Sequence, residues 1–285
     1  MTKIDLYKLH GAGNDFLVQV EGDNSVAPDI ELFRRLCDRH AGVGGDGFIR
    51  VLPPISGGDI RMELHNADGS RAEMSGNGAR CLVLAALVAG RVAGPEVKLE
   101  TDAGLRLVRI DGELSHPEIL VEMGEVTVDP SDLAMEGFVA SRRAGVGNPH
   151  LVLVAGSRAQ LAGLDLASLG AELDGAESGG LNVEVVSVEP ALGGAQADGG
   201  APASLDLRVW ERGAGLTRAC GTGSCAAAAV ARSLGLVGDS VDVRNPGGLL
   251  TVSLSGPDPL APTAMLGGPT RMIASLTVDT EDLRP

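Results

Sequence analysis

Ser75-Gly76-Asn77-Gly78-Ala79-Arg80-Cys81 and Cys220-Gly221-Thr222-Gly223-Ser224-Cys225-Ala226 share one pattern: a small polar residue, a Gly-x-Gly, then a run of small and apolar residues. The runs that follow, residues 79–89 and 224–234, read as helices that are apolar nearly all round. A helix without a polar face belongs inside a domain, covered on every side. Two such helices, each opened by the same short motif and separated by about half the chain, predict two α/β halves of one design.

Other motifs repeat in the same order. Gly11-Ala12-Gly13-Asn14 returns as Gly145-Val146-Gly147-Asn148, and Asn66 precedes Ser75 by the same interval at which Glu211 precedes Cys220. One short glycine motif recurs by chance; three in one order point to an internal duplication. Between the motifs the chain reads as short alternating strands over residues 3–9, 16–20, 48–51, 61–65, 96–100, 106–110 and 119–123. The second half continues with 151–154, 183–188, 205–209, 240–244, 250–254 and 271–278. Further helices are expected over 30–39 and 165–173, with loops over 53–59, 174–180 and 190–204.

The composition sets outer bounds. Of 285 residues, 44% are hydrophobic and 21% charged, as in a globular protein. The formal charge of −15 argues against a general nucleic-acid or anionic-membrane binder, which needs a basic face. Lys3, Lys8 and Lys98 are the only lysines, and none stands in a glycine-rich phosphate loop, which argues against a P-loop or a Schiff-base cofactor. Aromatics at 2% leave little for base stacking. No apolar leader opens the sequence, no run is long enough to span a bilayer, and Cys37, Cys81, Cys220 and Cys225 form no CxxC pair. The expectation is a soluble cytoplasmic protein with reduced thiols.

A helix N-terminus opened by glycine leaves backbone N–H groups exposed beside the positive end of the helix dipole, a cradle for a carboxylate. A thiol at that position, as Cys220, is expected to have a lowered pKa and to act as base or nucleophile. A glycine-rich cap with an inert buried cysteine fits Cys220-Gly221-Thr222-Gly223 equally when it is taken alone. The mirrored Ser75-Gly76-Asn77-Gly78 shifts the balance. If both cradles hold one carboxylate, residues 75 and 220 flank its α-carbon, an arrangement suited to removing a proton on one face and returning it on the other.

The chain resembles the diaminopimelate epimerase family, in a cofactor-independent superfamily with proline racemase and the phenazine-pathway isomerase. The resemblance runs from Lys8 to about Leu276. It rests on Lys8-Leu9-His10-Gly11-Ala12-Gly13-Asn14-Asp15-Phe16, Asn66-Ala67-Asp68-Gly69-Ser70, Gly76-Asn77-Gly78-Ala79-Arg80-Cys81 and Gly147-Asn148-Pro149-His150. Asn182-Val183-Glu184, Glu211-Arg212-Gly213-Ala214-Gly215, Ala219-Cys220-Gly221-Thr222-Gly223 and Pro246-Gly247-Gly248 complete the set.

The resemblance implies an α/β (α+β) fold of two pseudo-symmetric half-barrels. Each is a curved, mostly antiparallel sheet around a central apolar helix, with residues 1–124 plus 267–285 in the first and 125–266 in the second. The active site is expected in the cleft between them. It also implies interconversion of LL- and meso-2,6-diaminopimelate in lysine and peptidoglycan-precursor synthesis, without pyridoxal phosphate or metal. Cys220 matches one catalytic cysteine, and Gly76, Asn77, Gly221 and Thr222 match the backbone donors to the reacting carboxylate. Asn14, Asn66, Asn148, Asn182, Glu211 and Arg212 match substrate contacts, and His150 and Glu211 match groups that tune the thiols. Arg212 could grip a distal carboxylate with two parallel bonds. The expected partner is the small-molecule substrate diaminopimelate, with no nucleic acid or membrane and with a homodimer as an option.

Apart from the family pattern, Asn66-Ala67-Asp68-Gly69 is an ordinary turn signal, and Glu211-Arg212 an ordinary strand edge. Cys37, Cys81 and Cys225 read as packing residues. Asp46-Gly47 is assigned no substrate contact. One position departs from the pattern: the family expects a second catalytic cysteine where this chain has Ser75. A hydroxyl without assistance is a far weaker base than a thiolate. Three alternatives follow: a Cys→Ser replacement that traps a complex, a Ser75 activated by a neighbour such as Glu211 or His150 or relaying a proton through water, or a drift to one-base chemistry (a racemase or lyase, by α-proton exchange or elimination) or to amino-acid binding alone.

Overall fold

The computed structural model describes residues 3–22, 29–112, 117–189, 203–281 and 283. In chain order its elements are β1 (Lys3–Gly11), β2 (Asn14–Val20), α1 (Ile30–Cys37), β3 (Gly47–Leu52), β4 (Ile60–Asn66), β5 (Arg71–Ala72), α2 (Gly76–Val88), β6 (Glu96–Thr101), β7 (Gly104–Asp111) and β8 (Glu118–Glu125). Then come β9 (Thr127–Val128), β10 (Ala140–Gly145), β11 (Pro149–Val154), α3 (Arg158–Gly163), α4 (Leu166–Ala176), β12 (Asn182–Glu189), β13 (Ala203–Glu211) and β14 (Gly215–Thr217). The last are α5 (Gly221–Ser233), β15 (Ser240–Asn245), β16 (Gly248–Ser255), β17 (Thr263–Gly267) and β18 (Thr270–Asp279). The chain divides into two compact units, Met1–Val121 with Gly268–Pro285, and Glu122–Gly267.

In the first unit β1 turns into β2 through Ala12 and Gly13, both at positive φ (52° and 82°), the two-residue turn whose twist matches that of paired strands. Parallel β2–β3, antiparallel β3–β4, parallel β4–β6 and antiparallel β6–β7–β8 follow, and β18 closes antiparallel on β1. The sheet curves round α2, which packs on β1, β2, β3, β4 and β18 and is buried from Gly76 to Ala86. A helix this short is marginal by itself in water. Its burial holds it, each enclosed Leu or Val contributing about 1.5–3 kcal/mol. On the outer side, α1 is capped by Asp29 and lays Phe33 against Phe48 at a ring separation of 4.2 Å.

The second unit repeats these pairings strand for strand. β10–β11 is antiparallel, β11–β12 parallel, β12–β13 antiparallel, β13–β15 parallel and β15–β16–β17 antiparallel, and β9 closes on β10. Helix α5 lies inside, buried almost throughout. Helices α3 and α4 stand where the first unit has α1, over an apolar cluster that includes Leu151, Leu153, Val183 and Val185.

Several expectations are corrected. The helix over 30–39 stops at Cys37, where extended Asp38 caps it. Helix α4 runs to Ala176, into the segment read as a 174–180 loop. Helix α3 and strand β10 carried no readable pattern. A helix as short as α3 depends on outside support: Ser157 caps its start, and Arg208 Nη1 reaches the carbonyls of Leu161 and Leu164 at its end, at 2.8 and 2.9 Å. Up to residue 202, the loop expected over 190–204 lies outside the described residues.

Candidate active site

Both glycine motifs open their helices as the sequence suggests. Ser75 is the N-cap of α2, its Oγ accepting from Gly78 N–H at 3.0 Å. Cys220 is the N-cap of α5, its Sγ accepting from Gly223 N–H at 3.3 Å. The caps use the third helical N–H and leave those of Gly76 and Asn77, and of Gly221 and Thr222, pointing from the helix start.

The two caps have different surroundings. In the second unit, Glu211 at the end of β13 accepts a hydrogen bond from Thr217 Oγ1 on the adjacent β14, and its carboxyl acts electrostatically on the Cys220 thiol. Burial pushes the Glu211 carboxyl above its ordinary value, against the pull of the Thr217 bond. Thr222 Oγ1 lies 3.4 Å from Cys220 Sγ. On β11 and β12, His150 Nδ1 meets Glu184 Oε1 at 2.8 Å with both side chains fully enclosed, and His150 Nε2 meets Asn148 Oδ1 at 2.8 Å. Glu184 reaches under the start of α5: a Cβ on Gly223 would stand 2.5 Å from Glu184 Oε1, so only glycine fits there.

This environment corrects one expectation. The Cys220 pKa is not lowered. Burial and the charges of Glu211 and Glu184 push the thiol well above its ordinary value, and the bonds from Thr222 and Gly223 do not offset them. The helix N-terminus favours a thiolate, but a closed pocket with two carboxyl groups disfavours it more strongly. The thiol therefore holds its proton until Glu211 or a ligand changes the balance.

In the first unit the corresponding strand positions hold Phe16 for His150, Ile49 for Glu184, Asn66 for Glu211 and Ala72 for Thr217. The space below Gly78 is filled by Ile49 Cδ1, 3.1 Å from an added Cβ. No carboxyl or imidazole takes these places around Ser75. Instead the unit gathers amides: Asn77 Nδ2 donates to Asn14 Oδ1 at 3.3 Å. Asn66 lies at the exposed end of β4, its Nδ2 on Ser70 Oγ at 3.0 Å.

The remaining candidates lie in the second unit. Asn182 is buried, with Nδ2 on Pro149 O at 2.9 Å and Oδ1 accepting the Arg212 backbone N–H at 3.0 Å. Arg212 is exposed, its Nη1 resting on Gly179 O at 2.9 Å, so the guanidinium is not committed to a carboxylate. Cys37 and Cys81 are pushed up to about 12 by burial, as inert packing thiols are. Glu184 was legible only as part of a motif. Its signal is a charged residue at an inward position of a Val-rich strand. Thr217 carried none. Among the described residues no cluster of His, Cys, Asp or Glu is placed to hold a metal ion.

A duplicated α/β unit with a glycine-opened helix at its centre is a fold found among solved structures. Two solved structures share it over nearly the whole chain. A hydroxyproline epimerase from Agrobacterium vitis aligns with TM-score 0.73 at 20% identity, covering 97% of this chain and 92% of that one. A phenazine biosynthesis protein of the PhzF family from Bacillus anthracis aligns with TM-score 0.72 at 13% identity, covering 98% and 100%. The sequence is more specific. The family model for diaminopimelate epimerase matches residues 6–128 and 143–272. Diaminopimelate epimerases from Desulforudis audaxviator and from Mycobacterium sp. are 36% and 37% identical, covering 93% and 94% of this chain and 95% and 94% of theirs. The chain belongs to the diaminopimelate epimerase family and is an isomerase of the epimerase type. No helix among the described residues is long and apolar enough to cross a membrane.

Proposed function

We propose that this protein epimerises 2,6-diaminopimelate between its LL and meso forms, in lysine and peptidoglycan-precursor synthesis, with both helix N-termini serving one substrate. The observation that carries the reading is the Cys220 cap with the buried Glu211 carboxyl acting on its thiol. A carboxylate beside a raised thiol can take the thiol proton as the sulfur takes the α-proton, which leaves the buried pair no more charged than before. The N–H groups of Gly76, Asn77, Gly221 and Thr222 stabilise the substrate carboxylate as it gains enediolate character. Asn14, Asn66, Asn148, Asn182 and Arg212 hold the rest of a substrate charged at both ends, and His150, held by Glu184, supports the Cys220 side.

Ser75 is the weak partner in this scheme. Its neighbours at Ile49, Ala72 and Asn66 include no general base, which favours a second reading: α-proton exchange from the Cys220 face that outpaces inversion. Incubation in deuterium oxide with LL-diaminopimelate separates these readings. The expected result is deuterium at the α-carbon with slower appearance of the meso isomer, both lost in Cys220→Ala by about a thousandfold or more, the span assigned to a positioned acid–base group. Absence of both exchange and epimerisation in the unaltered protein, with substrate bound, would leave an amino-acid-binding protein. Comparable turnover of lysine would remove the role given to Arg212 and the asparagines.

A further inference from the structure

Asn14 belongs to a chain of four side chains inside the first unit. Its Nδ2 donates to Asp46 Oδ2 at 2.8 Å, and its Oδ1 accepts from Asn77 Nδ2 at 3.3 Å. Asn77 Oδ1 accepts in turn from Arg80 Nη2 at 2.6 Å. One end is a carboxylate, which when ionised only accepts; the other is a guanidinium, which only donates. Each amide between them therefore has one orientation, oxygen toward Arg80 and nitrogen toward Asp46. Turning either over would set oxygen against oxygen and nitrogen against nitrogen.

Both ends are anchored. Asp46 Oδ2 also accepts the Asp15 backbone N–H at 3.0 Å, its Oδ1 takes Arg39 Nη2 at 2.7 Å, and its own N–H donates to Asp15 O at 2.7 Å. Asn77 and Arg80 are buried, and a Cβ on Gly11 would stand 3.0 Å from Arg80 Nη2, so the glycine before the β1–β2 turn leaves room for the guanidinium. The fold does not require this chain of bonds. Leu181, Thr222 and Cys225 stand in the corresponding places of the second unit and cannot form it.

We propose that Asp46 is a positioning residue for substrate recognition. It fixes the direction of the Asn14 amide, so that a ligand meets its remaining N–H donor and its remaining carbonyl lone pair each on a set side, and a ligand group whose donors and acceptors match that order is favoured over one that needs the amide turned over. The inference rests on Asn14 being a substrate contact, as proposed above. It adds that the direction of its amide is set by Asp46 and, through Asn77, by Arg80.

The test compares Asp46→Ala, which removes the acceptor, with Asp46→Asn, which keeps an oxygen for both Asn14 and Asp15 at the cost of the Asp46–Arg39 bond, while Arg39 keeps its partner on Asp15 Oδ1 at 2.6 Å. The Asp46 side chain is 41% exposed, so truncation opens no buried cavity, and thermal midpoints check the fold. Loss of one charge-assisted bond predicts a KM for diaminopimelate raised about tenfold in Asp46→Ala. The expected kcat changes by less than about threefold, the pattern of lost binding rather than lost chemistry. Asp46→Asn restores most of the KM. In ligand-free protein, the side-chain amide resonances of Asn14 and Asn77 shift in Asp46→Ala and return toward their original positions in Asp46→Asn. Unchanged KM in Asp46→Ala, or a fall in kcat alone, overturns the proposal while leaving the epimerase reading intact. If the unaltered protein proves inactive, the epimerase reading fails, and amide resonances that ignore Asp46→Ala overturn the positioning role separately.

Discussion

At the start of α2, Ser75 caps a helix whose Gly78 packs on Ile49, with Ala72 and Asn66 at the flanking strand positions; at the start of α5, Cys220 caps a helix whose Gly223 packs on Glu184, with Thr217 and Glu211 in those positions. The pairing of strands is the same in both units, and the cap bond falls on the third helical N–H in both. The duplicated backbone thus supplies two helix starts with uncommitted N–H groups. Side chains at only a few positions surround one of them with a thiol, carboxyls and an imidazole and the other with a hydroxyl and amides. Backbone plan and proton chemistry are separable here because the cradle is made of peptide groups, which every sequence has.

If that separation holds, the largest effect should come from giving the first unit a thiol. Ser75→Cys should raise epimerisation by about a hundredfold, the equivalent of roughly two steps of 1.36 kcal/mol in the barrier, and should change exchange from the Cys220 face much less. Rates followed by chiral analysis of the product check this. A rate unchanged or lowered in Ser75→Cys would make serine the adapted residue and break the comparison.

A smaller effect should distinguish the two helix-opening glycines. Alanine in place of glycine favours a helix by about 1 kcal/mol. In Gly78→Ala the new methyl meets Ile49 Cδ1 at 3.1 Å, which can yield, so the net change should stay within about 1 kcal/mol. In Gly223→Ala it meets Glu184 Oε1 at 2.5 Å and must drive that carboxylate off His150, at a cost of about 1.5–3 kcal/mol. Denaturant midpoints of the two variants measure the difference, and equal values would show that Glu184 is not held as tightly as its burial implies.

The smallest effect concerns pH. Burial raises the pKa of Glu211, so between its ordinary value and the raised one the folded chain holds a proton that the unfolded chain has released. Stability attributable to this group therefore falls as pH rises through that window, by at most about 1.4 kcal/mol per pH unit for one proton. Glu211→Gln should remove that part of the slope in a series of urea midpoints. No counterpart slope is expected from the corresponding position of the first unit, since Asn66 does not titrate. A slope unaltered in Glu211→Gln would place the titration elsewhere.

The duplication was legible because its signals are local. Gly-x-Gly before an apolar run, Gly-x-Gly-Asn at a strand turn and Asn66 or Glu211 at a constant interval each describe a few consecutive residues and their backbone. The two central helices were legible because total apolarity in a helix has one physical outcome, enclosure. Helix α3 and strand β10 were not, since their support comes from Arg208 and from neighbouring strands far along the chain. The direction of the Cys220 shift was misjudged for the same reason. The helix N-terminus is written in Cys220-Gly221-Thr222-Gly223, whereas desolvation and the two carboxyl groups come from other parts of the fold.

By itself the sequence determined that this protein has two like halves, that each opens a buried helix with a peptide cradle, and that one cradle carries cysteine and the other serine. These follow from short-range backbone preferences and from the identity of single residues. The tertiary structure alone decided what those residues can do. It brought the Glu211 carboxyl to bear on the Cys220 thiol, and set His150 on Glu184 beneath α5 and Asn14 between Asp46 and Asn77. Charge, burial and the direction of a hydrogen bond depend on which distant groups share an enclosed space, and that is settled only when the strands pair.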